Sequence, residues 1–372
     1  MNFTADLVAL SVELDDDNLN KLAGLIEQYR DWMDRISTGL YSRLGTEAER
    51  KRFVAWFVKR WANINTVSQD EWQRYAEIVQ RSHAEHGREF LDGQEYVIRR
   101  YDEAGYDFEL LGYDWFSGVH DIQFDQYATD RFDVRPGDVI IDGGAFIGDT
   151  AVLFAAKTAG DCQIHTFELL EENLALLQHN IERNGIADRV TVNRVALGDE
   201  RGKELSIAVT RLQASMSLMF PGALKVPLIR LDDYVQDMGL ERVDFIKFDI
   251  EGAEIPALEG ARQTIETHHP RMALCLYHKW DDVLTILAFL DSLTVRYDNE
   301  FKWVQLKLGT EGVILLTPKT QCEVPDTQSA EAAACRALDA AMFRLFDGYQ
   351  KKYKQADDLW QARKGQVAKP TH

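Results

Sequence analysis

Cysteine is scarce in this chain and never grouped. Only four of the 372 residues are cysteine, and Cys162, Cys275, Cys322 and Cys335 form no C-x-x-C pair and no Cys/His ligand spacing. Two of them fall in expected buried strands, where a free thiol acts as a small apolar group. Basic charge is in deficit, with 42 Lys and Arg against 61 Asp and Glu and a net charge of −19. A nucleic-acid partner is therefore not expected, because phosphate backbones are gripped by Lys/Arg surfaces. No run is long and apolar enough to span a bilayer. The opening Met1-Asn-Phe-Thr-Ala-Asp6 has neither the basic stretch nor the apolar core of a signal peptide. The expected setting is a reducing cytoplasm without an integral membrane segment. There is no internal repeat, no Pro-Pro and no G-x-G-x-x-G. What is present, 45% hydrophobic and 28% charged residues, belongs to an ordinary globular chain with room for one large domain or two to three smaller units.

Four regions follow one another. Residues 1–92 read as helical, with Leu19, Leu22, Leu25, Ile26 and Tyr29 behind the acidic Asp15-Asp-Asp-Asn18, a second helix carrying Phe53, Phe57 and Trp61, and a third from about Gln69 to Phe90. Residues 93–130 form an aromatic-rich connecting or cap segment with Tyr106, Phe108, Tyr113, Trp115 and Phe116. Residues 131–318 alternate regularly. Strands are expected at 139–141, 163–168, 190–196, 244–249 and 271–277, with helices at 149–158, 171–184, 254–266 and 281–293. An added hairpin lies at 203–209 and 225–230, and strands near 301–308 and 312–317 close the sheet across Gly309-Thr-Glu-Gly312. This predicts a doubly wound, mainly parallel α/β sheet with its ligand at the carboxyl ends of the strands. Residues 319–372 read as a C-terminal helical tail with a basic end.

The densest signal is Val139-Ile-Ile-Asp-Gly-Gly-Ala-Phe-Ile-Gly-Asp149, a buried strand, a glycine-rich turn and a helix start. Gly143, Gly144 and Gly148, with Ala145 between them, allow close approach of a ligand to the backbone. A dinucleotide brings pyrophosphate to such a turn, and the carboxylate of Asp142 would repel it. A nucleoside carrying an amino group and a sulfonium suits it, and S-adenosylmethionine is one. Glu168, at the second strand end, is placed to accept from ribose hydroxyls or, equally, to start the following helix. Asp199 in Val195-Ala-Leu-Gly-Asp199 either accepts from an adenine amino group or belongs to a turn. In Val243-Asp-Phe-Ile-Lys-Phe-Asp-Ile-Glu-Gly-Ala-Glu254, Lys247, Asp249 and Glu251 alternate and so point to one side. Such charges in an apolar strand are costly unless paired or used. Leu276-Tyr-His-Lys279 brings His278 to the same edge as a candidate base.

Taken together, the glycine-rich turn (Asp142, Gly144, Gly148), the Lys-x-Asp-x-Glu-Gly-Ala-Glu segment and the Tyr277-His278 strand end resemble the FkbM family of S-adenosylmethionine-dependent methyltransferases over about residues 131–318. The resemblance implies a seven-stranded class I sheet with an antiparallel last strand, S-adenosylmethionine as cofactor, and O-methylation of a hydroxyl on a sugar, glycolipid or polyketide. On this view Asp142, Gly143, Gly144, Ala145, Gly148, Glu168, Asp199 and Asp249 serve the cofactor. His278, Asp249, Lys247 and Glu251 serve the chemistry. Mg²⁺ is not favoured, although Asp232, Asp233, Asp249 and Glu251 offer hard oxygen ligands. A nicotinamide-dependent oxidoreductase and an inactive methyltransferase-fold scaffold are the competing readings. The helical ends suit a homo-oligomer, substrate capping or docking to a glycan-assembly partner, whereas plain packing suits 93–130 better than 1–92. Met216, Met219 and Phe220 either line an apolar lid or only pack.

Overall fold

A computed structural model describes residues 3–11, 14–82, 84–102, 105–116, 122, 124–209, 216–217, 224–304 and 311–319. The chain opens with α1 (Phe3–Ser11), α2 (Asp16–Tyr29), α3 (Met33–Ile36), α4 (Glu47–Ala62) and α5 (Gln69–Ser82). Thr46 starts α4 with a reciprocal cap, its hydroxyl accepting from the Glu49 amide and the Glu49 carboxylate accepting from the Thr46 amide.

The third helix stops at Ser82, not near Phe90. Residues 87–91 are instead β1 (Gly87–Leu91), paired with β2 (Gln94–Arg100). The Asp92-Gly93 pair, with φ of 51° and 84°, makes the tight hairpin turn that requires two positive φ values. β3 (Glu109–Gly112) completes this small sheet. Its free edge is met by α7 (Glu171–Arg183) and the residue after it. The Leu111 amide donates to Asn180 at 2.7 Å, and Asn180 donates back to the Leu111 carbonyl at 2.9 Å. Asn184 repeats the exchange at Glu109.

The main sheet contains β4 (Asp138–Gly143), β5 (Cys162–Phe167), β6 (Val190–Asn193), β11 (Phe245–Phe248), β12 (Arg271–Cys275), β13 (Tyr297–Trp303) and β14 (Gly312–Pro318). Their order is β13-β14-β12-β11-β4-β5-β6, with β14 alone antiparallel to its neighbours. α6 (Asp149–Lys157), α8 (Leu231–Asp237), α9 (Glu254–Gly260), α10 (Arg262–His268) and α11 (Asp282–Asp291) complete the layers. Every residue of β4, β11 and β12 is buried, as strands covered on both faces require.

Two expectations change here. The third strand ends at Asn193, and Ala196–Leu197 is a separate strand, β7, that leaves the main sheet to pair with β10 (Leu224–Ile229). β10 pairs in turn with β8 (Glu204–Val209), and β8 with β9 (Met216–Ser217). The helix expected at 254–266 is broken at Ala261. A Cβ on Gly260 would lie 1.8 Å from the Gly198 carbonyl oxygen, so this close backbone contact belongs to glycine. Met219, Phe220, the 309–310 turn and residues 320–372 lie outside the described residues.

The N-terminal helices do not stand apart. Phe3, Tyr29, Phe53, Trp56 and Phe57 share one apolar cluster with Phe301, Ile314 and Leu316 of the main sheet. α4 lies over β13, with the rings of Phe53 and Trp56 each 5.3 Å from that of Phe301. The helices before residue 83 thus pack on the main sheet through this cluster.

Candidate active site

At the carboxyl edge of β4 and β11 two charged clusters sit side by side. The first is closed. Lys247 stands beside Asp142 in the parallel register, and its ammonium donates to Asp142 Oδ1 at 3.0 Å and to the Gly144 carbonyl at 2.8 Å. Thr150 Oγ1 donates to Asp142 Oδ2 at 2.7 Å. Asp142 is 0% and Lys247 2% exposed. Burial disfavours the ammonium, but Asp142 and Asp249 outweigh it and hold the Lys247 pKa above its ordinary value. Asp142 and Lys247 together brace the glycine turn from below.

The turn itself is held from three sides. The amides of Gly144 and Ala145 both donate to the Phe167 carbonyl, at 2.9 and 3.1 Å. The Phe146 amide donates to Glu168 at 3.0 Å. Gly144 has φ 76°, and a Cβ there would fall 1.8 Å from the Asp249 carbonyl oxygen. Only glycine fits this crossing of the two strand ends. Gly143 packs on Phe248 and Ile250, and Gly148 lies against Leu177.

Glu168 is 4% exposed. It accepts from the amides of Leu169 and Leu170 at 2.7 and 2.8 Å, from Phe146, and from Asn173. Burial raises its pKa in spite of these donors. Four donors thus converge on the carboxylate. As placed, Glu168 ties the glycine turn to the start of α7. Asp199 is exposed on the turn after β7. Its neighbour Gly198 abuts Gly260, at the end of α9 remote from the strand edge. At 1.5 Å per residue that is about 9 Å down the helix from Glu254.

The second cluster is open. Asp249 Oδ1 accepts from Tyr277 OH at 2.7 Å and Oδ2 from Tyr127 OH at 2.8 Å. His278 follows Tyr277 beyond β12. Its Nδ1 lies 2.8 Å from Glu254 Oε1, and its Nε2 lies 3.4 Å from Asp249 and 3.7 Å from Glu251. Burial opposes the imidazolium, but Glu254, Asp249 and Glu251 outweigh it and raise the His278 pKa to about 10. For Asp249, burial is outweighed by His278, Lys247 and the two tyrosine hydroxyls, so its pKa stays below the ordinary value. Glu251 goes the other way. Burial, with Asp249, Glu254 and Glu311 adding to it against the counter-effect of His278, pushes its pKa up to about 8. Its side chain remains 32% exposed, and its φ is 57°, an uncommon conformation for a residue with a Cβ.

The structure thus gathers Asp249, Glu251 and His278, and keeps Lys247 beneath them. It adds Tyr127, Tyr277, Glu254 and Glu311, which the sequence reading did not assign. Glu254 opens a helix and reads as an ordinary N-terminal charge, while Tyr127 sits in the connecting segment with no pattern to mark it. The hard-ligand set is not assembled. Asp232 instead accepts from Thr264 Oγ1 and from the amides of Gln263 and Thr264 at the start of α10. Among the described residues no group of three or more His, Cys, Asp or Glu side chains is arranged for a metal ion. Nor is any helix there long and apolar enough to cross a membrane.

The strand order, the single reversed strand and a glycine turn at the carboxyl edge match the class I methyltransferase fold. Residues 142–297 match the Methyltransferase FkbM domain, a match to part of the chain that supports an FkbM-type methyltransferase. It is 27% identical over 203 residues to 2-O-methyltransferase NoeI of Sinorhizobium fredii, covering 49% of this chain and 80% of that one. Over 167 residues it is 25% identical to 31-O-demethyl-FK506 methyltransferase FkbM of Streptomyces tacrolimicus, covering 36% and 63%. The crystal structure of Methyltransferase FkbM from Methylobacillus flagellatus aligns with a TM-score of 0.48 at 17% identity, over 81% of this chain and 62% of that one.

Proposed function

We propose that the protein is an S-adenosylmethionine-dependent O-methyltransferase acting on a hydroxyl of a sugar, glycolipid or polyketide-like acceptor. The observation that carries this reading is the contact between the glycine turn and the Asp249 backbone, which sets an ionised carboxylate beside a turn whose amides at 144–146 are already engaged. Such a site matches a cationic nucleoside without phosphate and offers little to a pyrophosphate. Gly143, Gly144, Ala145 and Asp249 would hold the cofactor. When bound it supplies an activated methyl group on sulfur. The two relatives named above carry O-methyl chemistry in their names, and the hydroxyl acceptor is taken from them.

In-line transfer asks the protein to align the acceptor oxygen, exclude water and accept one proton. His278 is not the acceptor of that proton. At neutral pH it is an imidazolium held by Glu254, and it serves as a fixed positive charge between Asp249 and Glu251. Glu251 takes the proton, because it is the exposed carboxylate of the cluster and its pKa lies near the working range. Asp249, hydrogen-bonded by Tyr127 and Tyr277, stays ionised. The test is calorimetric titration of S-adenosylhomocysteine, with NAD⁺ in parallel. Micromolar binding of the first alone is expected; a folded sample that binds neither would overturn the reading.

A further inference from the structure

The segment that presents Tyr277 and His278 is gripped by the N-terminal helices. Arg60 of α4 reaches it with two donors on one acceptor, Nε at 3.1 Å and Nη2 at 2.7 Å from the Tyr277 carbonyl oxygen. Tyr29 of α2 donates its hydroxyl to the Trp280 carbonyl at 3.2 Å, and its ring meets the Trp280 ring at 5.6 Å. Trp56, one turn before Arg60, lies against Gly312, where a Cβ would come within 2.4 Å of the indole. The Leu276 amide donates to the same Gly312 at 2.9 Å. Tyr277 and His278 therefore stand on a stretch of chain past the end of β12 whose carbonyls are fastened to α2 and α4. The apolar packing of these helices on β13 does not require that contact.

We propose that the N-terminal helical layer is a positioning device for the active site: Arg60 and Tyr29 hold the 277–280 segment by its carbonyls, and so place Tyr277 on Asp249 and His278 on Glu254. Arg60 touches no reacting atom and acts through the strand end. This rests on the reading of Asp249, Glu251 and His278 as the reaction centre, but the test reads the histidine ring and needs neither cofactor nor acceptor. The groups facing the ring are Glu254, Asp249, Glu251 and Tyr277, with Asp282, Glu311 and Lys279 nearby.

The full chain, labelled with ¹⁵N-histidine, is titrated by NMR, with the His278 signal assigned by its loss in His278→Gln. In the native chain the ring is expected to keep its proton to about pH 10. Arg60→Met is expected to weaken its proton affinity tenfold or more, as the ring slips from Glu254. Tyr29→Phe should act in the same direction but less, and Arg60→Lys should restore part of the loss. The sign is diagnostic. Removing a nearby cation without moving the ring can only strengthen imidazolium binding. A general loss of stability leaves the native ring's titration where it was. An unchanged or strengthened proton affinity in folded Arg60→Met overturns the proposal. If that variant does not fold, an unshifted ring in Tyr29→Phe overturns it instead. Absence of S-adenosylhomocysteine binding in the native chain would sink the methyltransferase reading of the cofactor without touching this result.

Discussion

Two carboxylates, Asp142 and Asp249, end neighbouring strands of one sheet, yet they do opposite work. Asp142 is enclosed, with a lysine and a threonine filling its oxygens. Asp249 is held by two tyrosine hydroxyls and faces a histidine and a glutamate. The difference lies in what the partners can exchange. A buried lysine–carboxylate pair has no proton to give near neutrality and fixes the shape of the turn. The open cluster pairs a His278 whose pKa its carboxylates raise to about 10 with a Glu251 whose pKa burial pushes up to about 8. Residue type at a strand end thus predicts charge, but enclosure decides between scaffold and chemistry.

The sharpest way to break the comparison is to attack the closed pair. Lys247→Met leaves a buried carboxylate uncompensated and should cost about 3–5 kcal/mol in denaturant unfolding. Lys247→Met with Asp142→Leu should recover most of that loss, since the apolar pair leaves no charge behind. Next in size, Glu251→Gln should lower methyl transfer about 10²-fold or more while calorimetric affinity for S-adenosylhomocysteine stays close to the native value. The same variant sharpens the pH argument. Native Glu251 binds its proton more tightly folded than unfolded, with a pKa of about 8 against an ordinary 4.5. Its contribution to stability is therefore complete below about pH 4.5 and is lost as pH rises to about 8. His278 adds the same sign between 6.5 and about 10. Thermal unfolding should show Glu251→Gln melting above the native chain at pH 8, with the gap closing towards pH 5. The smallest effect belongs to Asp199→Ala, which should move neither cofactor affinity nor stability by more than about 0.5 kcal/mol.

The strand, glycine turn and helix at 139–157 were readable because each part is local: an apolar run, glycines where the backbone must turn tightly, and a helix beyond. The charges at 247, 249 and 251 were also readable, since an apolar strand does not carry charge without use. Their division was not readable. That Lys247 faces Asp142 follows from the register of two strands about a hundred residues apart in the chain, which no local pattern states. The expected single strand at 190–196 hid the change of sheets between Asn193 and Ala196 that precedes Asp199. The helix overrun past Ser82 ignored the Asp92-Gly93 turn signal. Arg60 lies in an amphipathic helix where a cation normally reads as solvated surface, and only the fold shows it bonded to the Tyr277 carbonyl.

The central claim is that the open cluster keeps its mobile proton on Glu251 and a fixed charge on His278. A ¹³C-carboxyl NMR titration of Glu251 in the full chain tests it most directly, with the signal assigned by its loss in Glu251→Gln. The account predicts a midpoint near pH 8, with the His278 ring still protonated there. A Glu251 midpoint near the ordinary 4.5 would contradict it and leave the cluster without a base matched to neutral pH.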